Sequence, residues 1–96
     1  MKIDFNKTAD QLTVFLDGRL DTITATDFSN FLNEQIQGIG ALTIDCEKLA
    51  YVSSAGLRVL LSTQKKLGNA MKLTHVGELV MEVFEMTGFA DVLVIE

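Results

Sequence analysis

The chain has 96 residues, of which 48% are hydrophobic, and its 8 Lys plus Arg against 13 Asp plus Glu give a net charge of −5. This length predicts a single domain over residues 1–96, and the hydrophobic content predicts a folded chain rather than a disordered one. The acidic balance argues against a nucleic-acid-binding protein, because phosphate backbones are held by clusters of Lys and Arg.

The first third of the chain predicts a β-hairpin followed by a helix. Apolar and polar residues alternate over 2–6 and again over 12–16, with a short polar stretch between the two runs. Such alternation indicates strands with one apolar face, and the short connection indicates a hairpin. We expect residues 17–21 to form a loop. Thr24 is the expected N-cap of the helix that follows.

The rest of the chain predicts strands that alternate with helices. A third strand is expected over 42–46, and a helix entered through two serines ends at Gly68. A fourth strand follows over 71–76, then a third helix over 78–87 and a final strand over 92–95.

This element order, β-β-α-β-α-β-α-β, predicts an α/β fold. Helices between the later strands make crossover connections, so those strands should run parallel. The strands alternate more than a sheet covered on both faces would. We therefore expect a mixed sheet of about five strands with an N-terminal β-hairpin and three helices mainly on one face.

Side chains that commonly carry catalysis or bind metals are few in this sequence. His75 is the single histidine and Cys46 the single cysteine. Together they supply too few ligands for a metal site, and no set of nucleophile and base is visible. We expect no enzymatic activity, no metal and no cofactor, with Cys46 a packed side chain and His75 a structural or surface residue.

The first residues and the apolar runs carry no sign of export or membrane insertion. The first residues alternate and lack the apolar segment of a signal peptide, and the longest apolar runs are far too short to span a bilayer. These features predict a cytoplasmic protein without membrane insertion.

Ser53 and Ser54 are the informative pair, because they stand where a buried strand gives way to a helix. One interpretation is capping, in which a serine hydroxyl accepts a hydrogen bond from a free backbone N–H of the first turn. The other is a phosphorylation site, since a phosphate is well accommodated beside the backbone donors of a helix start. Both interpretations remain open on spacing alone.

Three spaced stretches resemble the STAS family, the sulfate transporter and anti-sigma factor antagonist domains. Residues 42–57 (LTIDCEKLAYVSSAGL) resemble its central signature of an apolar strand and a serine-bearing turn that ends in Gly-Leu. Residues 18–21 (GRLD) with Thr24 and Ala25, and residues 84–89 (FEMTGF), resemble its upstream and late elements. The resemblance spans essentially the whole chain in the same order.

The resemblance implies a bacterial anti-sigma factor antagonist that works by partner switching. In that family the unmodified domain binds an anti-sigma factor serine kinase, phosphorylation releases it, and a PP2C-type phosphatase restores it. Alignment on Gly56-Leu57 implies Ser54 as the acceptor, with Ser53, where the family often has Asp, as the alternative. The implied partner-binding residues are Asp21, Thr22, Ser53, Ser54, Ala55, Gly56, Leu57 and Arg58.

A second hypothesis comes from the same resemblance. Stand-alone STAS domains are also similar to the small cytoplasmic subunit of a bacterial phospholipid-transport ABC complex, which has a structural and regulatory role there. The two hypotheses differ in their expected partners, which are a kinase and a phosphatase in one and an ATPase and a permease in the other.

Overall fold

The computed structural model describes all of residues 1–96, which form four strands and three α-helices in the order β-β-α-β-α-β-α, with two short 3-10 turns. The strands are β1 (Lys2–Thr8), β2 (Gln11–Leu20), β3 (Ala41–Val52) and β4 (Met71–Thr74). The α-helices are α1 (Thr22–Gln35), α2 (Ser54–Leu67) and α3 (Glu78–Thr87), and the 3-10 turns are Gly68–Ala70 and Phe89–Asp91.

The strands form one mixed sheet in the order β1-β2-β3-β4. β1 pairs with β2 in antiparallel orientation, as the short connection between them predicts. β3 pairs in parallel with both β2 and β4, and α1 and α2 make the two crossovers. The predicted hairpin and the predicted parallel strands are both confirmed.

One face of the sheet is fully buried and the other is partly open. Leu12, Val14 and Leu16 of β2 and Leu42 and Ile44 of β3 are at most 1% exposed. The residues between them are exposed or half-buried. Because successive residues of a strand point to opposite faces, the helices cover one face of the sheet only. The predicted arrangement of the helices is therefore confirmed.

The predicted fifth strand is wrong. Over 92–95 the chain forms only an isolated parallel bridge between Leu73 and Ile95, in which the Leu73 N–H donates to Val94 O at 2.8 Å. β4 itself is only four residues long, and the 3-10 turn Phe89–Asp91 stands directly before residues 92–95. The four apolar residues over 92–95 therefore pair with β4 at one position and do not form a strand.

The predicted loop over 17–21 is also wrong, because β2 continues to Leu20. The pairing with β3 shifts register between Phe15 and Asp17 and again between Gly18 and Arg19. Gly18 has φ +115°, a conformation that side chains disfavour and that accommodates such an irregularity. The bulged strand brings Leu20 and the residues after it beside the end of β3.

A buried glutamine joins the ends of three segments. Gln64 in α2 is 6% exposed, and its Nε2 donates to Gly68 O at 2.6 Å and to Met71 O at 3.2 Å. Its Oε1 accepts from the Val94 N–H at 3.2 Å. These bonds hold the last segment of the chain against the sheet.

None of the three α-helices combines the length and the apolar composition that a membrane-spanning helix requires.

Candidate functional site

The candidate site lies where β2 and β3 end and lead into α1 and α2. Both strands run in the same direction, so both helices begin at the same edge of the sheet. The Ser53 N–H donates to Leu20 O at 2.8 Å, which fixes the start of α2 to the end of β2. Two helix N-termini, each with free backbone donors, therefore lie side by side at this edge.

Ser53 is the N-cap of α2. Its backbone is extended, with φ −92° and ψ 174°, and its Oγ accepts from the Gly56 N–H at 3.2 Å. This is the bond by which a capping serine satisfies one of the unpaired donors of the first turn. The Ser53 side chain is half-buried, so its hydroxyl already has a structural role.

Ser54 differs from Ser53 in its exposure and in its hydrogen bonding. It is the first residue of α2, it is exposed, and its hydroxyl makes no hydrogen bond within the chain. The two adjacent serines thus differ in their structural surroundings. Ser53 caps the helix, and Ser54 presents a free hydroxyl to solvent.

The small residues after Ser54 allow close packing of the helix on the sheet. Gly56 is buried, and a Cβ built on it would lie 2.7 Å from Leu20 Cγ and 3.0 Å from Leu20 O. Leu57 is 5% exposed and belongs to the core, whereas Ala55 is half-buried. Of the residues for which the resemblance implied partner contact, Gly56 and Leu57 are therefore buried in the folded chain. Arg58 is exposed, one turn beyond Ser54.

The start of α1 forms the other half of the site. Asp21 is its N-cap, and Asp21 Oδ1 accepts from the N–H groups of Ile23 and Thr24, both at 3.0 Å. Thr24 Oγ1 in turn accepts from the Asp21 N–H at 2.9 Å, which completes a capping box. The predicted N-cap, Thr24, is thus wrong by three residues. Thr22 is exposed beside the cap.

The capping bonds also set the charge state of the Asp21 carboxyl. The hydrogen bond from the Thr24 N–H is the main cause that lowers its pKa below the ordinary value of 3.8, with smaller contributions from other donors and from Arg19. Bonds to the charged form favour that form. Asp21 is therefore an anion at neutral pH beside the exposed end of α2.

A cation–π contact at the ends of β2 and β3 was missed by the sequence reasoning. The guanidinium carbon of Arg19 lies 4.2 Å from the centre of the Tyr51 ring, and the two residues are register partners. The irregular register of β2 hides this pairing from the sequence. Arg19 lies two residues before the N-cap of α1, and Tyr51 lies two residues before the N-cap of α2. The contact therefore places a positive charge near both caps.

The two side chains considered for other chemistry lie elsewhere. Cys46 is fully buried, and burial is the main cause that raises the pKa of its thiol to about 12, with the charge of Asp45 second. The prediction that it is a packed side chain is confirmed. His75, with φ 55°, is exposed, and its Nδ1 lies 3.1 Å from Asp45 Oδ2. No group of three or more His, Cys, Asp or Glu could hold a metal ion.

The chain is similar to known proteins over nearly its whole length. The family described as "Mlab, STAS domain" matches residues 3–95 of the chain. A Bordetella bronchiseptica protein named as a candidate anti-sigma factor antagonist, BtrV, is 33% identical over 96 residues, which cover 96% of this chain and 83% of the relative.

Two solved structures named SpoIIAA, one of them described as a Bacillus protein, share the fold. The unphosphorylated form of SpoIIAA, an anti-sigma factor antagonist, has a TM-score of 0.82 at 17% identity and covers 99% of this chain and 88% of its own. The phosphorylated form has a TM-score of 0.75 at 16% identity, with coverages of 99% and 91%. At these identities the likeness establishes a common architecture.

Proposed function

Because the chain belongs to the STAS domain family, we propose that it is an anti-sigma factor antagonist that acts by partner switching. The unphosphorylated protein binds an anti-sigma factor serine kinase in the cytoplasm, and phosphorylation of Ser54 releases it. A PP2C-type phosphatase then returns the protein to its binding form. The single observation that carries the proposal is the exposed, unbonded Ser54 hydroxyl at the start of α2.

The division of roles between the serines supports Ser54 over Ser53 as the acceptor. A kinase must reach the hydroxyl and take its proton, which is straightforward for the exposed Ser54. Modification of Ser53 would instead place a phosphate in a half-buried position, on the Oγ that accepts from the Gly56 N–H. The relative SpoIIAA exists in a phosphorylated form, which supports a modification of this kind in the fold.

The charge added by a phosphate is large enough to change the choice of partner. A phosphoserine carries a charge of about −1.5 to −2 at neutral pH. A like charge placed in a docked surface costs several kcal/mol, and every ~1.4 kcal/mol is tenfold in affinity. Binding should therefore weaken by on the order of a hundredfold, while the domain itself stays folded because Ser54 is exposed.

The direct test is phosphorylation of the purified chain by the serine kinases of its native cell, followed by intact-mass and peptide mass spectrometry. The expected result is one added phosphate on Ser54 in the wild type and in Ser53→Ala, and none in Ser54→Ala. Ser54→Ala should remain bound to the kinase in the presence of ATP, and Ser54→Asp should bind it weakly. The absence of phosphate on the wild type with every such kinase would refute the proposal.

A second candidate function is that of a stand-alone STAS subunit in a bacterial phospholipid-transport ABC complex. The apolar side chains on α3 favour it, because Leu79 is 70% exposed and Met86 is 87% exposed. Together with Tyr51 and Val83 they line a shallow apolar groove, which suits a permanent subunit contact. Isolation of the chain from its native cell with an ATPase subunit, and without a kinase, would establish this candidate instead.

A further inference from the structure

The exposed face of α2 has a charge opposite to that of the whole chain. Ser54, Arg58, Ser62 and Lys65 are exposed, whereas the positions between them are mostly buried or half-buried. The helix contains three basic residues and no acidic one, in a chain with a net charge of −5. The face that begins at Ser54 is therefore basic along its length.

Arg58 is the basic residue of this face that lies nearest to Ser54 along the helix. Its side chain has no hydrogen-bonding or ion-pair partner. The ion pairs of the chain involve Lys2, Lys72 and His75. Arg19, at the end of β2, lies over the Tyr51 ring. The Arg58 guanidinium, which has five N–H donors, makes neither a hydrogen bond nor an ion pair in the folded chain.

The spacing directs the Arg58 side chain toward Ser54. Residues four apart on a helix lie on one face with about 5–6 Å between their Cβ atoms. Helical side chains also tilt toward the N-terminus, so the turn that holds Ser54 is within reach of the long side chain of Arg58. No acidic side chain of α2 competes for it.

We propose that Arg58 binds the phosphate carried by Ser54 in the same chain. This inference rests on the proposed function, since it takes Ser54 as the modified residue. The planar guanidinium can give two parallel hydrogen bonds to phosphate oxygens, a geometry that Arg offers and Lys does not. Arg58 acts as a positioning residue, which holds the phosphate along the exposed face of α2.

The pairing gives the modification two effects on a docked partner. The first two turns of the exposed face change from a charge of +1 to between about −0.5 and −1. In addition, the guanidinium is no longer available to a carboxylate of the partner. Asp21, at the start of the neighbouring helix α1, forms no ion pair with Arg58, and its Oδ1 is bonded to the N–H groups of Ile23 and Thr24.

The test uses the full chain with phosphoserine inserted at position 54 during translation, so that no kinase is needed. The phosphorus NMR signal is followed as a function of pH in the wild type, Arg58→Gln, Arg58→Lys and Lys65→Gln. Lys65→Gln is the matched control, because it removes the same charge from the same face at a position about 16 Å along the helix from Ser54, beyond the screening length of about 10 Å at 0.1 M salt.

A nearby cation favours the doubly charged phosphate, so its second proton should leave at a lower pH when Arg58 is present. We expect the titration midpoint of Arg58→Gln to lie about 0.2–0.4 pH unit above that of the wild type, the size of a helical i,i+4 ion pair. Arg58→Lys should fall between the two, and Lys65→Gln should match the wild type.

Equal midpoints for the wild type and Arg58→Gln would overturn the inference, as would an equal shift in Lys65→Gln. The circular dichroism spectra of all variants should be unchanged, because the substituted side chains are exposed. The result is independent of the kinase experiment. A chain that no kinase modifies would refute the proposed function, whereas an unshifted midpoint would refute only the role of Arg58.

Discussion

Replacement of Ser53 and Ser54 one at a time should separate the capping serine from the exposed one by stability alone. Ser53→Ala removes the acceptor of the Gly56 N–H and leaves one donor of the first turn of α2 unpaired. Ser54→Ala removes a hydroxyl that is exposed and bonds to nothing in the chain. The two substitutions delete the same atom type at adjacent positions, so each is the control for the other.

The expected magnitude follows from the geometry of the bond. Loss of an N-cap side chain costs about 0.5–2 kcal/mol, and the distance of 3.2 Å between Gly56 N and Ser53 Oγ is long for an N–H···O bond. We therefore expect the lower half of that range, about 0.5–1 kcal/mol, for Ser53→Ala. For a domain of this size that corresponds to a fall in melting temperature of about 2–8 °C. Ser54→Ala should stay within about 0.5 kcal/mol of the wild type.

A third variant makes the test sharper. Ser53→Asp keeps a capping acceptor and adds a negative charge where the helix dipole favours one, so it should be as stable as the wild type or slightly more so. Thermal and urea unfolding of the four proteins, followed by circular dichroism, measure all of these differences. If Ser54→Ala lost as much stability as Ser53→Ala, or Ser53→Asp as much as Ser53→Ala, the assignment of the cap would be refuted.

Three further predictions concern the packing and charge of the same domain. Gly56→Ala should lower the free energy of unfolding by about 1–2 kcal/mol in urea titrations. The new Cβ would lie 2.7 Å from Leu20, and this overpacking outweighs the better helix propensity of Ala. An unchanged or raised urea midpoint would contradict the close packing. Cys46 should resist a thiol reagent at pH 8 in the native protein and react at once in urea, because burial raises the pKa of its thiol to about 12; rapid modification of the native protein would be inconsistent with its burial. Asp21→Asn should be less stable than the wild type at neutral pH. Because folding lowers the pKa of Asp21 from 3.8, this difference in stability should persist above about pH 4 and vanish as the pH falls through the pKa of the folded state. A difference in stability that grows in acid would have the wrong sign.

Local patterns in the sequence were sufficient to predict the part of the fold that holds the candidate site. The switch from alternation to helical spacing at Ser53-Ser54 marks the start of α2, where the structure also has it. The pattern could not decide which serine caps the helix, because both hydroxyls are two or three residues from a free backbone donor. That choice depends on the extended backbone of Ser53, which the bond from its N–H to Leu20 O fixes.

The errors have physical causes that act over longer range. Two register shifts interrupt the alternation of β2, so its last residues resemble a loop although they pair with β3. The residues over 92–95 have strand-forming side chains, but only Leu73 of β4 offers them backbone partners. Tertiary pairing overrides local propensity in both cases.

The buried Gln64 could not have been foreseen, since its three hydrogen-bond partners lie 4, 7 and 30 residues away. Most of its surroundings in the sequence belong to an ordinary amphipathic helix. A polar residue at such a position is expected to lie on the solvent-facing side of the helix. Its role becomes visible only when the ends of α2, β4 and the chain are brought together.

The agreement between the order of the strands in the sheet and their order in the chain has a consequence for synthesis on the ribosome. Each strand lies beside the one made just before it, from β1 to β4, so the growing sheet never has to open to admit a later segment. The N-terminal hairpin needs only local contacts, and each crossover helix emerges before the strand it delivers. The nascent chain can therefore accumulate native pairing from its first residues onward, and the apolar face of the hairpin is covered as soon as α1 has left the exit tunnel.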